Sequence, residues 1–119
     1  MFESLGIFIV HGSYGLRRSK SVVQDFSIFR SALNIFEHSS GRLPTTSEGL
    51  DALVRRPEGW GAKDYEPTLK SEILDPWQNS YRYEFPSPRG RAGPDITSAG
   101  PDMIFGTEDD IGNWEIESL

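Results

Sequence analysis

The sequence contains no cysteine. This excludes disulfide staples, thiolate nucleophiles and thiolate zinc sites. Histidine is nearly as scarce: His11 and His38 are the only two, so a histidine-rich metal centre is excluded and a catalytic triad is poorly supplied. Long hydrophobic runs are also missing. The longest strongly apolar stretch, Leu5 to Val10, is broken by Gly6 and falls far short of the roughly 20 residues a membrane helix needs. The same region lacks the basic start and small-residue cleavage pattern of a secretory signal. The chain as written is therefore expected to be soluble, meeting a membrane only through an anchor that it does not carry. Positive charge is the last shortage. Twelve Lys and Arg face eighteen Asp and Glu, for a net charge of −6, which argues against nucleic acid as a partner because a polyanion needs a basic patch. Arg17, Arg18 and Lys20 form one tight basic group. No aromatics interleave them, and they read as a helix start or a solvated flank.

What remains is a chain of 119 residues with seven Phe, four Tyr and three Trp. That is enough for one domain with a modest core. Twelve Gly and eight Pro predict many turns and long irregular connections. From Ser19 to His38, Val22, Phe26, Phe29, Leu33 and Phe36 recur at alternating spacings of four and three, which predicts a long helix with one apolar face. Val23, Ala32 and Ile35 widen that stripe, while Gln24, Asp25, Ser31, Asn34 and Glu37 turn toward water. His38 reads as a residue of the last helical turn, and Gly41 followed by Pro44 gives a stop. Ile7 to Val10 fits either a short strand or an extension of the helix, with Gly12 and Gly15 breaking both.

A shorter helix is expected at about Ser47 to Val54, entered through a capping box of Thr45 and Glu48. Residues 55 to 75 read as an ordered loop, packed down by Trp60, Tyr65, Leu69, Ile73 and Leu74. The period then changes. Tyr81, Tyr83 and Phe85 alternate with Arg82 and Glu84, a half-buried strand. With Asp95 to Ala99 this strand forms a long-looped hairpin, and a last short strand is expected at Asn113 to Ile116. The fold class is α+β: a long N-terminal α-helix laid on a small antiparallel β-sheet of about three strands, with a long α/β loop containing a short helix. Residues 1–18 read as an atypical N-terminal segment, and residues 19–119 as a single globular domain.

One segment carries distinctive chemistry. From Asp95 to Leu119 there is no Lys or Arg, yet there are seven carboxylates, concentrated as Asp102, Glu108, Asp109 and Asp110 between Gly100 and Gly112. Calcium takes six to eight oxygens from carboxylates and carbonyls on a curved loop. Asp102 at one end and Asp109 or Asp110 at the other could close such a loop, with backbone carbonyls between Ser98 and Thr107 filling the rest. A bound cation would turn the mutual repulsion of Glu108, Asp109 and Asp110 into attraction. Magnesium demands tighter geometry, and zinc finds no Cys or His nearby. The spacing is not that of an EF-hand loop, and a solvated acidic turn with Asp110 capping a local backbone turn is the alternative. Met103, Ile104 and Phe105 interrupt the acidic loop with an apolar triplet that tucks it onto the domain, or lets Phe105 cover a subunit contact.

Three stretches, in order, carry a family resemblance. Gly41 to Val54 (GRLPTTSEGLDALV), Asp75 to Tyr83 (DPWQNSYRY) and Asp110 to Trp114 (DIGNW) together resemble the major pseudopilin, the G subunit, of type II secretion systems. Gln78 and Ser80 stand where the family usually has Gly and Pro. The likeness covers roughly residues 19–116, and Met1 to Lys20 preserve neither the family's prepilin cleavage site nor its hydrophobic anchor helix. The resemblance implies a pilin-like fold and a periplasmic filament that supports protein export. Its partners would be further copies of the chain and the other pseudopilins of the secretion apparatus, and the full-length form would be anchored in the inner membrane before assembly. It also implies calcium in the loop before the closing motif. Asp102 and Asp110 then serve as side-chain ligands, Asp109 and Glu108 stand next, and the carbonyls near Ser98, Ile104 and Thr107 follow.

No enzyme is expected. His38 beside Ser39 and Ser40 is adjacency without triad geometry, Glu108 and Asp110 sit in a glycine-flanked turn without a cleft, and no phosphate-cradling loop precedes a helix. Trp77 and Trp114 read as fasteners of loop and terminal strand. The competing reading is a small calcium-stabilised extracytoplasmic module that binds a protein or glycan and forms no filament.

Overall fold

The computed structural model describes residues 12–117. Helix α1 spans Gly12–Ser40. It starts before the expected Ser19: no proline interrupts it, and a helical glycine costs only about 1 kcal/mol. Gly12, Gly15 and the basic group Arg17, Arg18 and Lys20 therefore lie inside the helix rather than before it. Ile7 to Val10, read as a strand or helical extension, fall outside the described residues. The expected apolar stripe is the buried one, since Val22, Phe26, Phe29, Leu33 and Phe36 are all buried together with Ala32. Val23 and Ile35 do not widen it. They are 37% and 47% exposed, because the sheet and loop cover a narrower arc than the apolar sequence offers. His38 lies in the last turn, and Gly41 follows with φ 90°.

The capping box forms as a reciprocal pair: the Thr45 amide donates to Glu48 Oε1 (2.9 Å) and the Glu48 amide to Thr45 Oγ1 (3.2 Å). It opens onto a turn and then the expected short helix, which is a single 3-10 helix at Leu50–Leu53 and starts three residues after Ser47. Gly49, with φ 63°, breaks the helical path at the point where it would have begun. Ala52 and Leu53 are buried beneath it. The following loop packs down through Tyr65 and Trp60, which meet Phe36 at ring-centroid distances of 4.6 and 5.4 Å. Leu74, expected to pack with them, is instead 39% exposed.

Strands β1 (Arg82–Glu84), β2 (Asp95–Ser98) and β3 (Ile111–Gly112) form one antiparallel sheet in the order β1-β2-β3. Tyr83 pairs with Ile96, and Ser98 with Ile111. Tyr81 and Tyr83 turn toward the helix side, where Tyr81 meets the edges of Phe26 and Phe29 at 5.8 and 5.1 Å. Tyr81 also donates its hydroxyl to Asp25, and Tyr83 donates to the Pro44 carbonyl. Burial holds both phenols well above their usual pKa. The Asp25 carboxyl is raised too, by burial first, with the Tyr81 bond opposing.

The end of the chain departs from expectation. Asn113 to Ile116 is not a strand: pairing stops at Gly112, and Asn113–Glu117 forms the short helix α2. Two bonds enforce the change. The Glu115 carboxylate accepts from the Gly112 amide at 2.9 Å, closing a helical start. Asn113 is buried with its Oδ1 accepting from the Ile96 amide and its Nδ2 donating to Pro94 O. Trp114 folds back over Gly112, where an added Cβ would lie 2.2 Å from the ring, so only glycine fits there.

Candidate metal loop between the second and third strands

The acidic segment is the connection between β2 and β3, residues 99–110, and the Ser98–Ile111 pairing closes its base. The two arms touch just beyond that base. Gly100 has φ 78°, and a Cβ there would lie 2.1 Å from the Asp109 carbonyl oxygen. A side chain at this position would force the loop open, so Gly100 brings the Asp102 end and the Asp110 end onto one small turn.

Within the turn the two candidate carboxylates are organised by the same short segment. Asp102 Oδ1 accepts from the Ile104 amide (3.0 Å) and Oδ2 from the Thr107 hydroxyl (2.6 Å). The Thr107 bond first and the Ile104 amide second hold the Asp102 carboxyl below its usual pKa. Asp110 Oδ2 accepts from the Gly106 amide at 2.9 Å, and the Asp110 amide donates to Thr107 O at 3.2 Å. Asp110 Oδ1 is buried and has no hydrogen-bond partner. A buried carboxylate oxygen without a donor is costly, and Asp110 Oδ1 is the one such side-chain oxygen in the loop. Burial raises the nearby Glu115 carboxyl, and the negative charge of Asp110 adds to the shift.

The other expected ligands divide. Asp109 is half-buried, with its carbonyl against Gly100, whereas Glu108 stands exposed at the surface. Ser98 is fully buried, and its hydroxyl is committed: it donates to Asp75 Oδ2 (2.7 Å) and accepts from the Gly100 amide (3.0 Å). Only its carbonyl is left for a ligand role. The Ile104 carbonyl accepts from the Thr107 hydroxyl at 3.4 Å and the Thr107 carbonyl from the Asp110 amide at 3.2 Å, so each already has a donor. Among the described residues, no three His, Cys, Asp or Glu side chains converge to hold a metal ion. The four acidic residues are therefore not a cage of carboxylates, and a cation here would rest on two carboxylates and on carbonyls.

The apolar triplet splits as well. Phe105 packs on the Arg82 guanidinium, 4.1 Å from ring centroid to carbon, whereas Met103 and Ile104 are 56% and 61% exposed and do not tuck under the loop. Met103 itself sits at φ 61°.

Two buried carboxylates were not legible as organisers from sequence. Asp75 Oδ1 accepts from the Trp77 and Asn79 amides, while its Oδ2 takes the Ser98 hydroxyl, tying the Asp75–Asn79 turn to the root of the acidic loop. The Asp-Pro start of that turn was the available signal. Asp95 receives Ser87 Oγ and Arg91 at 2.8 Å each, with Arg89 3.3 Å from its second oxygen. Arg89 in turn lies 3.5 Å over the Trp114 ring. Both oxygens of Asp75 accept protein donors, whereas Asp95 Oδ2 has no hydrogen bond and faces the Arg89 cation, and Asp110 Oδ1 has neither a hydrogen bond nor an ion pair among the described residues.

Comparison with known proteins places this arrangement. The family model described as "Type II secretion system (T2SS), protein G" matches residues 10–114. A type II secretion system core protein G from Klebsiella michiganensis is 36% identical over 100 residues, covering 82% of this chain and 69% of that protein. The protein of the same name from Pectobacterium carotovorum is 36% identical over 104 residues, covering 82% of this chain and 64% of its own length. The crystal structure of the major pseudopilin from the type 2 secretion system of enterohaemorrhagic Escherichia coli superposes with a TM-score of 0.77 at 33% identity, covering 87% of this chain and 92% of that one. The long helix, the three-stranded sheet and the loop between them are thus those of a pseudopilin, a structural and non-catalytic subunit, and the chain belongs to the type II secretion system protein G family.

Proposed function

We propose that this chain is a building block of a type II secretion pseudopilus, assembling outside the cytoplasm with copies of itself and with other pseudopilins, and that calcium closes its β2–β3 loop. The observation that supports the subunit reading most directly is the agreement of the whole domain with the major pseudopilin, at 33% identity across 87% of the chain. No helix among the described residues is long and apolar enough to cross a membrane. Membrane attachment before assembly would therefore have to come from sequence other than these residues.

Support for calcium comes from the loop itself. Asp110 Oδ1 is a buried carboxylate oxygen without a donor, on a turn whose other carboxylate, Asp102, is held ionised. In this reading Asp102 and Asp110 supply the charge. Backbone carbonyls of Ser98, Ile104 and Thr107 supply neutral oxygens, and Asp109 supports the turn through its backbone. Glu108, exposed on the rim, adds field rather than a ligand bond. Oxygen-only donors on an irregular loop suit calcium better than magnesium or zinc. Bound calcium would supply the missing partner of Asp110 and fix β3, and α2 behind it, against the sheet.

Thermal melting in calcium and in excess chelator tests the metal part, repeated with Asp102→Ala and Asp110→Asn. The melting temperature is expected to rise with calcium, and either substitution should abolish the rise. An unchanged melting curve for the unsubstituted chain in calcium and in chelator would remove calcium from the proposal. The subunit role is tested by complementation: a secretion-defective strain lacking its own protein G should recover export when given this domain on that strain's own N-terminal segment.

A further inference from the structure

Among the exposed apolar residues of the described domain, two pairs lie on opposite layers. On α1, Ile28 and Ile35 are 44% and 47% exposed. Seven residues apart, they share one line of the helix, and with Ser27, Ser31, Thr68 and Leu69 they border an open groove of about 260 Å³. The second surface is Met103 and Ile104 on the β2–β3 loop. Phe105 anchors that loop on Arg82, whose side chain leaves β1 on the face opposite the buried Tyr81 and Tyr83. The groove is therefore on the helix layer and the loop tip on the outer side of the sheet.

The loop tip is presented, not loose. Asp102 binds the Ile104 amide, the Met103 amide donates to Gly100 O at 3.0 Å, and Met103 is held at a left-handed φ of 61° that a side-chain-bearing residue rarely adopts. A backbone constrained in this way directs two apolar side chains outward. Charge follows the same division. Asp102, Glu108 and Asp109 flank the tip and make no ion pair among the described residues, and Lys70, exposed and next in sequence to Leu69 of the groove, makes none either.

We propose that Met103 and Ile104 of one copy seat in the Ile28–Ile35 groove of the next copy, with the acidic flanks of the tip facing Lys70; the inference rests on the subunit reading above. The two surfaces differ and lie on opposite layers. Their contact is therefore heterologous and repeats from copy to copy instead of closing into a two-fold dimer. Two side chains entering a shallow groove bury far less than the roughly 800 Å² below which contacts resemble crystal packing. The contact thus sets the register of subunits already held side by side, where effective concentration is high, and does not form a free dimer in dilute solution.

The chain has no native cysteine, so introduced thiols report on it without background. The double variant Ile35→Cys/Ile104→Cys, oxidised with diamide in concentrated solution, should give a ladder of linked dimers, trimers and longer species. Its rate should exceed that of Asn34→Cys/Ile104→Cys by at least about tenfold, because Asn34 lies on another side of the helix. Equal rates for the two pairs would overturn the contact, as would dimerisation of Ile104→Cys alone at the rate of the double variant. Light scattering at the same high concentration gives a readout without thiols: the parent is expected to associate weakly and Ile104→Asp less, and a parent that does not associate, or a variant that associates equally, overturns the contact. If the unsubstituted chain associates while the paired thiols do not link, this contact fails and the subunit reading stands. If complementation of export fails as well, both fall.

Discussion

The α1–β1 interface and the β2–β3 loop hold the same short chain by opposite means. In the first, Phe26, Phe29, Phe36, Tyr81 and Tyr83 are buried against one another, and their polar tips are answered by Asp25 and the Pro44 carbonyl. In the second, apolar burial is almost absent. Met103 and Ile104 face outward, and the turn stands on Asp102, Thr107 and Asp110 bonding to nearby amides and hydroxyls. In the aromatic half the hydroxyls of Tyr81 and Tyr83 are both answered, whereas the loop leaves a carboxylate oxygen, Asp110 Oδ1, buried without a donor. A region closed by burial is rigid without help. A region closed by charge can be made conditional on a ligand, and on the proposed calcium reading that region carries the last strand and helix.

The contrast can be broken first on its aromatic side. Phe36→Ala removes a ring with no exposed surface that meets both Trp60 and Tyr65. It should cost about 4 kcal/mol, read as a shift of the urea midpoint that calcium does not restore. Next comes the closure of the loop. Gly100→Ala places a Cβ 2.1 Å from a backbone oxygen at φ 78° and should cost about 3 kcal/mol. Unlike the first, this loss should be accompanied by loss of any calcium response. Third is the ligand itself: calcium at a hundred times its dissociation constant should stabilise the unsubstituted chain by about 2.7 kcal/mol, and Asp110→Asn by close to nothing. The smallest effect tests an exposed charge pair as a baseline. Arg42 holds the Glu48 carboxyl down to about 2 from 4.5, with a 2.8 Å contact. Because the folded-state value is depressed, this contribution is fully present above pH 4.5 and is lost as the pH falls from there through about 2. With Arg42 largely exposed it amounts to no more than about 1 kcal/mol. Comparing Glu48→Gln with the parent by denaturant melts at pH 3 and pH 6 should show the full difference at pH 6 and a reduced one at pH 3.

The same division explains what could be read from the amino acids. The spacing of Val22, Phe26, Phe29, Leu33 and Phe36 registers directly with the helical repeat, and Tyr81 and Tyr83 with the strand repeat, so the packed half was legible. Ile35 and Val23 were not, because hydrophobicity marks what could be buried and not how far the opposing layer reaches. The final residues misled for a related reason. Trp114 and Ile116 look like strand residues, yet Glu115 lies three positions after Gly112, a helix-start spacing that outweighs four residues of propensity once Asn113 is bonded to β2. In the acidic loop, composition marked the segment and its carboxylates. It could not tell that Glu108 stays outside, that the Ser98 hydroxyl is occupied by Asp75, or that one oxygen of Asp110 is sealed in. Those are properties of chain path, set by Gly100 and by a bond from a turn 23 residues earlier.

The bond between Tyr81 and Asp25 joins residues 56 apart in sequence, which has a consequence in time. A chain made or threaded from its N-terminus exposes Phe26, Phe29 and Phe36 well before Tyr81 and Ile96 emerge to cover them. The helix can form locally within about a microsecond, but closing so long a loop must precede any reward from the sheet. During that interval the most apolar face of the molecule stands open on a formed rod, where it must be shielded or kept from its neighbours until the second half of the chain arrives.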